Sequence, residues 1–181
     1  MTEIKLGITI QDVGDVSEFN KEMSLDLFAL STYTFEGNFN LIINNIDFSV
    51  SDTHVLNIIL QFIMALTSSA NSSEKESVGQ IYIPIYPEVI ELRREKSKVL
   101  ICTTEHPISQ LEAECDFFDL YQAMYIQLNE ILSLLYKSNS DISEISLREI
   151  FSLEQMRRKW IRQNSPKFQN DTNEVLIRTI D

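Results

Sequence analysis

The chain has 181 residues, the length of about one domain, and 44% of them are hydrophobic, which is typical of a globular protein and excludes a disordered one. Its 27 acidic and 15 basic residues give a net charge of −12. This charge disfavours direct binding to nucleic acid and to anionic membrane surfaces. It is compatible both with simple solubility and with a basic protein partner.

The sequence carries no sign of export or of a disulfide-stabilised fold. The N-terminus lacks the basic start and apolar run of a secretion signal. The longest near-apolar run, residues 55–66, is too short to cross a membrane. Two cysteines, Cys102 and Cys115, predict no disulfide framework. We therefore expect a cytoplasmic protein.

The first third of the chain predicts an antiparallel meander. Apolar residues alternate with polar or small ones over residues 4–10, which indicates a half-buried strand. Residues 11–24 predict a loop or a short irregular helix, and residues 27–35 a second strand. Glu36-Gly37-Asn38 indicates a turn before a third strand over residues 39–43. Asn44-Asn45 indicates another turn, because asparagine tolerates positive φ, and an alternating strand follows over residues 46–50.

The middle third predicts a buried helix and a second group of strands. Ser51 or Asp52 is a candidate cap for a helix over residues 55–66, which is apolar on nearly all sides. Residues 67–77 are rich in serine and predict a surface loop. Further strands are predicted over residues 80–86, 89–94, 98–103 and 109–115, with a hairpin turn at 95–97. Pro84 and Pro87 place the first of these at a sheet edge or a bulge.

The last third predicts helices. Asp116 or Asp119 starts a long helix whose apolar residues recur every three or four positions, so that one stripe lines the core: Phe117, Tyr121, Met124, Leu128, Ile131 and Leu135. Two capping boxes predict a final helix, continuous or broken, over residues 147–164. Residues 165–181 form a tail, or contain one last short strand at 175–177.

The order of these elements is roughly βββ-α-βββ(β)-α-α. It predicts an α+β fold, in which an antiparallel or mixed β-sheet packs against about three α-helices. Residues 1–164 form a single domain, because no linker interrupts them.

No constellation for catalysis or for metal binding is visible. The only histidines, His54 and His106, are not brought together by any sequence rule, and a structural or surface role is the simpler interpretation of each. Glycine-rich phosphate loops, nucleophile elbows and zinc-protease motifs are absent. We therefore expect a protein that is not an enzyme and that holds no metal and no cofactor.

Carboxylates supply the candidate binding surface. Residues 1–52 carry a net charge of −7, and so do residues 101–147, so that these two stretches would form one acidic face if they adjoin. Within the second stretch, Glu112, Glu114 and Asp116 alternate and therefore share one face of a predicted strand. Their negative charges can be balanced by a base of this protein, by a basic partner, or by a metal ion in an active site. The candidates for binding a partner are Asp12, Asp15, Glu18, Glu112, Glu114, Asp116 and Asp119.

The layout of the chain resembles that of a known class of small proteins. The run Phe35-x-Gly37-x-Phe39-x-Leu41-x-Ile43-Asn44 precedes Phe48 and a helix with a candidate cap at Ser51-Asp52. With the acidic charge, this layout over residues 27–136 is similar to immunity proteins of polymorphic toxin systems, of the contact-dependent growth inhibition type. The resemblance implies a cytoplasmic protein that neutralises a cognate toxin domain with a basic surface, such as a nuclease. No site residue is transferred from it.

Two other functions remain open from the sequence. A phage-type inhibitor of a host defence nuclease would share the acidity and the lack of catalytic residues. A small metal-dependent enzyme would use the carboxylate row as its ligands. A homodimer is also left open.

Overall fold

The computed structural model describes residues 3–14, 31–32, 34–71, 76–83, 89–104 and 110–138. Within this part the chain forms two antiparallel β-sheets and two long helices, so the predicted α+β class is confirmed. The strands divide between two sheets of four rather than joining one sheet. The predicted helix over residues 147–164 and the predicted tail lie outside the described residues.

The first sheet is built around β2. Its strands are β1 (Ile4–Asp12), β2 (Glu36–Ile43), β3 (Ile46–Asp47) and β4 (Val50–His54). β1 pairs with one edge of β2, while β3 and β4 share the other edge, and all pairs are antiparallel. The Asn44-Asn45 turn between β2 and β3 is confirmed, with φ values of 50° and 66°.

Two predictions near the start of β2 are wrong. Ser31 is helical and Phe35 has a φ of 58°, so the described part of residues 27–35 is not a strand. Glu36-Gly37-Asn38 lies inside β2 and does not turn the chain. Gly37 is small for another reason: a Cβ atom there would lie 1.9 Å from the backbone oxygen of Thr9 in β1. The glycine permits two backbones to approach closely instead of providing a turn.

The second sheet is a meander in chain order. Its strands are β5 (Glu76–Tyr82), β6 (Val89–Glu95), β7 (Lys98–Thr104) and β8 (Glu112–Asp116). The predicted strands at β6 and β7 and the hairpin turn between them are confirmed, with Lys96 at a φ of 56°. The other two predicted strands are present with shifted bounds: β5 begins at Glu76 and ends at Tyr82, and β8 begins at Glu112, while residues 84–86 and 109 lie outside the described part. β5 lies at one edge of the described sheet, which is one of the two positions predicted for it, and β8 lies at the other edge. Pro84 and Pro87 lie outside the described residues.

Helix α1 (Val55–Asn71) is the centre of the fold and contacts β2, β5, β6 and the second helix. The Phe62 ring stacks on Phe39 of β2 with 5.6 Å between centroids. On the β5 side, Gly79 lies so close that a Cβ there would be 2.6 Å from the Cβ of Ala65. Packing on several sides explains why this helix is apolar nearly all round.

Both ends of α1 differ from the prediction. Ser51 and Asp52 belong to β4, so neither caps the helix, which begins at Val55. The helix continues to Asn71, and β5 begins at Glu76, so the predicted loop over residues 67–77 is wrong except at 72–75, which lie outside the described residues. Ser69 Oγ donates a hydrogen bond to the Leu66 backbone oxygen at 2.7 Å. A polar composition therefore did not end the helix there.

Helix α2 (Phe117–Ser138) matches its prediction. Asp116 caps it, because its Oδ1 accepts hydrogen bonds from the backbone nitrogens of Phe118 at 2.9 Å and Asp119 at 3.4 Å. Of the predicted stripe, five side chains are described and none is more than 3% exposed: Phe117, Tyr121, Met124, Leu128 and Ile131. Of the described helices, neither is long and apolar enough to cross a membrane.

Candidate partner-binding site

The predicted carboxylate row exists on β8. The pleat of the strand exposes Glu112 and Glu114, while Ala113 and Cys115 between them are 5% and 0% exposed. Because β8 is an edge strand, both carboxylates stand at the border of the second sheet. The backbone of β8 therefore holds them in fixed positions, about 6.8 Å apart along the strand.

The bases on the same sheet neutralise this row only in part. Lys98 Nζ lies 3.9 Å from Glu114 Oε1, and both side chains are about half exposed, so this pair is weak. Arg93 forms an ion pair with Glu91, and this bond raises the pKa of the arginine. Arg94 points into the core. Within the described part of the chain, Glu112 makes no ion pair.

Arg94 makes its contacts with the interior of the fold and not with the carboxylates of the row. Its Nη1 donates to the Ser69 oxygen at 3.0 Å, and its Nε donates to the Lys96 oxygen at 2.8 Å. The guanidinium also lies over the ring of Phe117, 4.3 Å from the centroid. Desolvation in this position lowers its pKa. The residue thus ties the end of α1 to the start of α2.

Asp116 and Asp119 take different roles from the row. Asp116 is only partly exposed, and its carboxylate caps α2. Its main role is therefore to stabilise the helix and not to bind a partner. Asp119 is exposed in the first turn of the same helix. Both carboxylates lie near Cys115. Burial is the main cause that raises the pKa of the Cys115 thiol to about 12, and the negative charges of Asp116 and Asp119 add to it.

Asn44 joins the first sheet to the edge of β8. Its Nδ2 donates to the Glu114 backbone oxygen at 2.9 Å. Its backbone nitrogen donates to the Glu3 oxygen at 3.0 Å, and its Oδ1 accepts from the Glu3 nitrogen at 3.1 Å. Glu3, which sequence reasoning missed, is thereby placed beside Glu114. We call Glu3, Glu112, Glu114 and Asp119 the seam cluster.

The other predicted acids lie elsewhere. Asp12 is at the far end of β1, nine residues after Glu3, which corresponds to roughly 30 Å of extended strand. There it pairs across the sheet with Glu36, and its Oδ1 accepts a hydrogen bond from the Gly14 nitrogen at 2.9 Å. Asp15 and Glu18 lie outside the described residues. The structure therefore brings Glu3, and not Asp12, to the β8 row.

The described residues contain no metal-binding group. No three histidine, cysteine or carboxylate side chains among them are arranged to hold an ion. His54 ends β4, and His106 lies outside the described residues. Both cysteines are buried, and burial first, then Glu91, raises the pKa of the Cys102 thiol.

These thiols are expected to be unreactive in the folded protein. With a pKa of about 12, the Cys115 thiol would be ionised in only about one molecule in 10⁴ at pH 8, and both sulfurs are shielded from solvent. A chromogenic disulfide reagent should detect no fast-reacting thiol in native protein and two equivalents in urea. If one thiol equivalent reacted fast in the native protein, either Cys102 of β7 or Cys115 of β8 would not be buried as described.

Comparison with known proteins yields no match. No family model, no curated protein and no solved structure is similar to this chain. The resemblance to immunity proteins therefore stays a prediction, and the function has to be argued from the surface itself.

Proposed function

We propose that this protein binds a basic protein domain through the seam cluster and thereby neutralises it. The partner we infer is a bacterial toxin domain, in the simplest case a nuclease, and the protein acts as its immunity protein. The observation that carries the proposal is the exposed, incompletely neutralised pair Glu112 and Glu114 on an edge strand.

The chemistry of such a partner matches the cluster. A nuclease holds phosphates in a cleft lined by lysine and arginine, and a fixed row of carboxylates occupies that cleft as a mimic of the phosphates. Opposite fields speed the encounter to on-rates of up to about 10⁸–10⁹ M⁻¹s⁻¹ at low salt. Fast capture suits a protein that has to neutralise a toxin inside the cell that makes it.

Rigidity of the row favours tight binding. Glu112 and Glu114 lie in register opposite Cys102 and Leu100 of β7, whose ladder is bonded through the residues on either side of them, and Asn44 binds the Glu114 carbonyl on the outer side. Little backbone entropy is then lost on association, which raises affinity at a given contact area. An inhibitor of a host defence nuclease would use the same surface, and the identity of the bound protein distinguishes the two cases.

The test compares two charge reversals of equal net charge. Glu114→Lys changes the seam cluster, whereas Glu130→Lys changes an exposed position on α2. Each is measured against an inactivated form of the protein that the adjacent gene encodes, by surface plasmon resonance at two salt concentrations. We expect Glu114→Lys to weaken binding at least tenfold, about 1.4 kcal/mol, and to slow association, with Glu130→Lys close to wild type.

Asp116 is left unchanged in this design, because its loss would uncap α2 and confuse a folding defect with a binding defect. A Glu112→Lys/Glu114→Lys double variant should lose both binding and protection of cells that express the partner. Equal weakening by Glu114→Lys and Glu130→Lys would reduce the effect to net charge. If neither seam variant changes affinity, the seam cluster is not the binding face.

A further inference from the structure

The edges of the two sheets are protected unequally. At the β5 edge, Gln61 pairs with the backbone of Tyr82: its Nε2 donates to the Tyr82 oxygen at 2.9 Å, and its Oε1 accepts from the Tyr82 nitrogen at 2.8 Å. At the β8 edge, Asn44 takes the Glu114 carbonyl. The outer strands beside β2 are short, two and five residues, with an irregularity between Gly37 and Phe39. Gln61 thus occupies one residue of the β5 edge, Asn44 occupies one carbonyl of the β8 edge, and two short strands cover the edge of β2 that faces away from β1.

The fourth edge, that of β1, is long, and no strand of the described part of the chain covers it. β1 has nine residues and pairs only with β2 within the described part of the chain. Glu3 and Asn44 form a hydrogen-bonded pair, so alternation along an antiparallel ladder assigns Lys5, Gly7 and Thr9 to the same kind of pair. The N–H and C=O groups of the residues between them then point away from β2 to the free edge: Ile4, Leu6, Ile8 and Ile10.

The pairing of β2 with its other neighbours agrees with this assignment. Leu41 lies opposite Leu6 in the ladder, and its carbonyl accepts a hydrogen bond from the Phe48 nitrogen at 2.8 Å on the side remote from β1. Leu41 and Leu6 are therefore not hydrogen-bonded to each other. The backbone groups of Leu6 consequently face the open edge.

The same four residues leave apolar surface at that edge. Their side chains face the core side of the sheet but remain partly exposed, whereas Phe39, Leu41 and Ile43 on β2 are fully buried. An additional strand beside β1 would cover these side chains with its own apolar residues and satisfy up to four N–H and four C=O groups.

Charge selects the kind of strand that fits. Glu3 and the seam cluster stand at one end of β1, and Asp12 with Glu36 stands at the other. The single base on β1, Lys5, is already paired with Glu3 at 3.0 Å. A second copy of this chain would bring another net charge of −12 to the same edge, so like charges oppose self-association there.

We propose that the partner docks by adding an extended strand to β1, with basic residues at both ends of that strand. This proposal rests on the proposed function and specifies how the basic partner is held: by main-chain hydrogen bonds along Ile4–Ile10 and by ion pairs at Asp12 and Glu3. The existing pair of Glu3 with Lys5 is exposed and therefore weak enough to be exchanged. Strand addition of this kind derives affinity from the backbone and specificity from alternate side chains. A strand added in this way would also contact both acidic ends of β1, at Glu3 and at Asp12.

Residue-resolved amide exchange tests the open edge. In the free protein, the amides of Ile4, Leu6, Ile8 and Ile10 should exchange much faster than those of Lys5, Gly7 and Thr9, which bond to β2. Binding of the adjacent gene's product should protect the four fast amides at least tenfold. Equal protection of both sets in the free protein would mean that β1 is already paired, and this outcome overturns the proposal.

A peptide probe tests the occupant. The probe is a fluorescent nine-residue peptide that alternates valine with threonine and carries arginine at both ends. Its control is the same peptide with N-methyl groups on alternate residues, which cannot form the ladder. We expect the control to bind the wild-type protein at least tenfold more weakly by fluorescence anisotropy. Equal affinity, or no binding of either peptide, overturns the proposal.

A variant of β1 provides the matched protein control. Ile8→Pro removes an N–H that faces the free edge and that no strand uses, a position where an edge strand accepts proline. Ile8→Ala removes the same side chain and keeps that N–H. Ile8→Pro should bind the probe at least tenfold more weakly than Ile8→Ala. If the two variants bind equally while Glu114→Lys still weakens capture of the adjacent gene's product, strand addition fails and the proposed function stands.

Discussion

Gly37→Ala is expected to destabilise the protein by about 3 kcal/mol, through a clash between the backbones of β1 and β2. A Cβ at residue 37 would lie 1.9 Å from the Thr9 oxygen and 2.9 Å from its carbonyl carbon. These are backbone atoms inside a ladder, so they cannot move aside as the end of a flexible side chain can. The strand would have to separate from its partner, and the free energy of unfolding in urea measures the loss.

Gly7→Ala is the matched control for this prediction. Gly7 lies in the same ladder, opposite Asn40, and a Cβ there would meet nothing within 4 Å. Its free energy of unfolding should stay within about 0.5 kcal/mol of wild type. If the two alanine variants lose equal stability, the effect comes from strand propensity and not from the contact with Thr9. The comparison also bears on function, because the free edge of β1 depends on its pairing with β2.

Leu128→Ala is expected to cost about 2–5 kcal/mol of unfolding free energy, because it leaves a cavity at the centre of α2. Leu128 is 0% exposed and lies one helical turn from Met124 and Ile131, which are also fully buried. α2 packs against α1 and against β1, so relaxation of either neighbour determines where the loss falls within this range. Chemical denaturation followed by tryptophan fluorescence or circular dichroism measures it.

Ile126→Ala is the control on the same helix. Ile126 is 48% exposed, and its truncation removes little buried surface, so the loss should be below about 1 kcal/mol. A large loss at Ile126 and a small one at Leu128 would mean that the helix faces the opposite way. Such a reversal would also change the contact of α2 with β1.

Stability and binding are coupled through one small region of this fold. Asn44 bonds to Glu3 and to Glu114, and Asp116 at the end of β8 caps α2. The carboxylates proposed to bind a partner are thus presented by elements that the core holds in place. Variants that change only exposed carboxylates, such as Glu114→Lys, are therefore the informative ones for function.

Local patterns in the sequence determined much of the secondary structure. Alternation specified the faces of β1 and β8, because a two-residue period is a local property of the pleat. Apolar spacing and the cap at Asp116 specified the buried stripe and the start of α2, because a helix is built from contacts within four residues. The Asn44-Asn45 turn followed from the tolerance of asparagine for positive φ.

The errors arose where distant contacts decide the structure. Gly37 carries the signature of a turn, yet it lies in β2 because Thr9, 28 positions earlier, requires a residue without a side chain there. The serine-rich end of α1 stays helical where packing and Arg94 hold its last turn. The pairing of two strands that are far apart in sequence cannot be read from either strand alone, since the pattern of each strand is compatible with several partner strands.

The sequence by itself determined the fold class, the acidity and the row of carboxylates on one face of a strand. Only the tertiary structure decided which acids stand together: Asn44 brings Glu3 beside Glu114, while Asp12 is held a strand's length away. It alone also decided that β1 is an open edge among the described strands, because an edge is defined by the absence of a neighbouring strand. The physical reason is that hydrogen bonds between strands are non-local, and the pattern within one strand does not specify its partner.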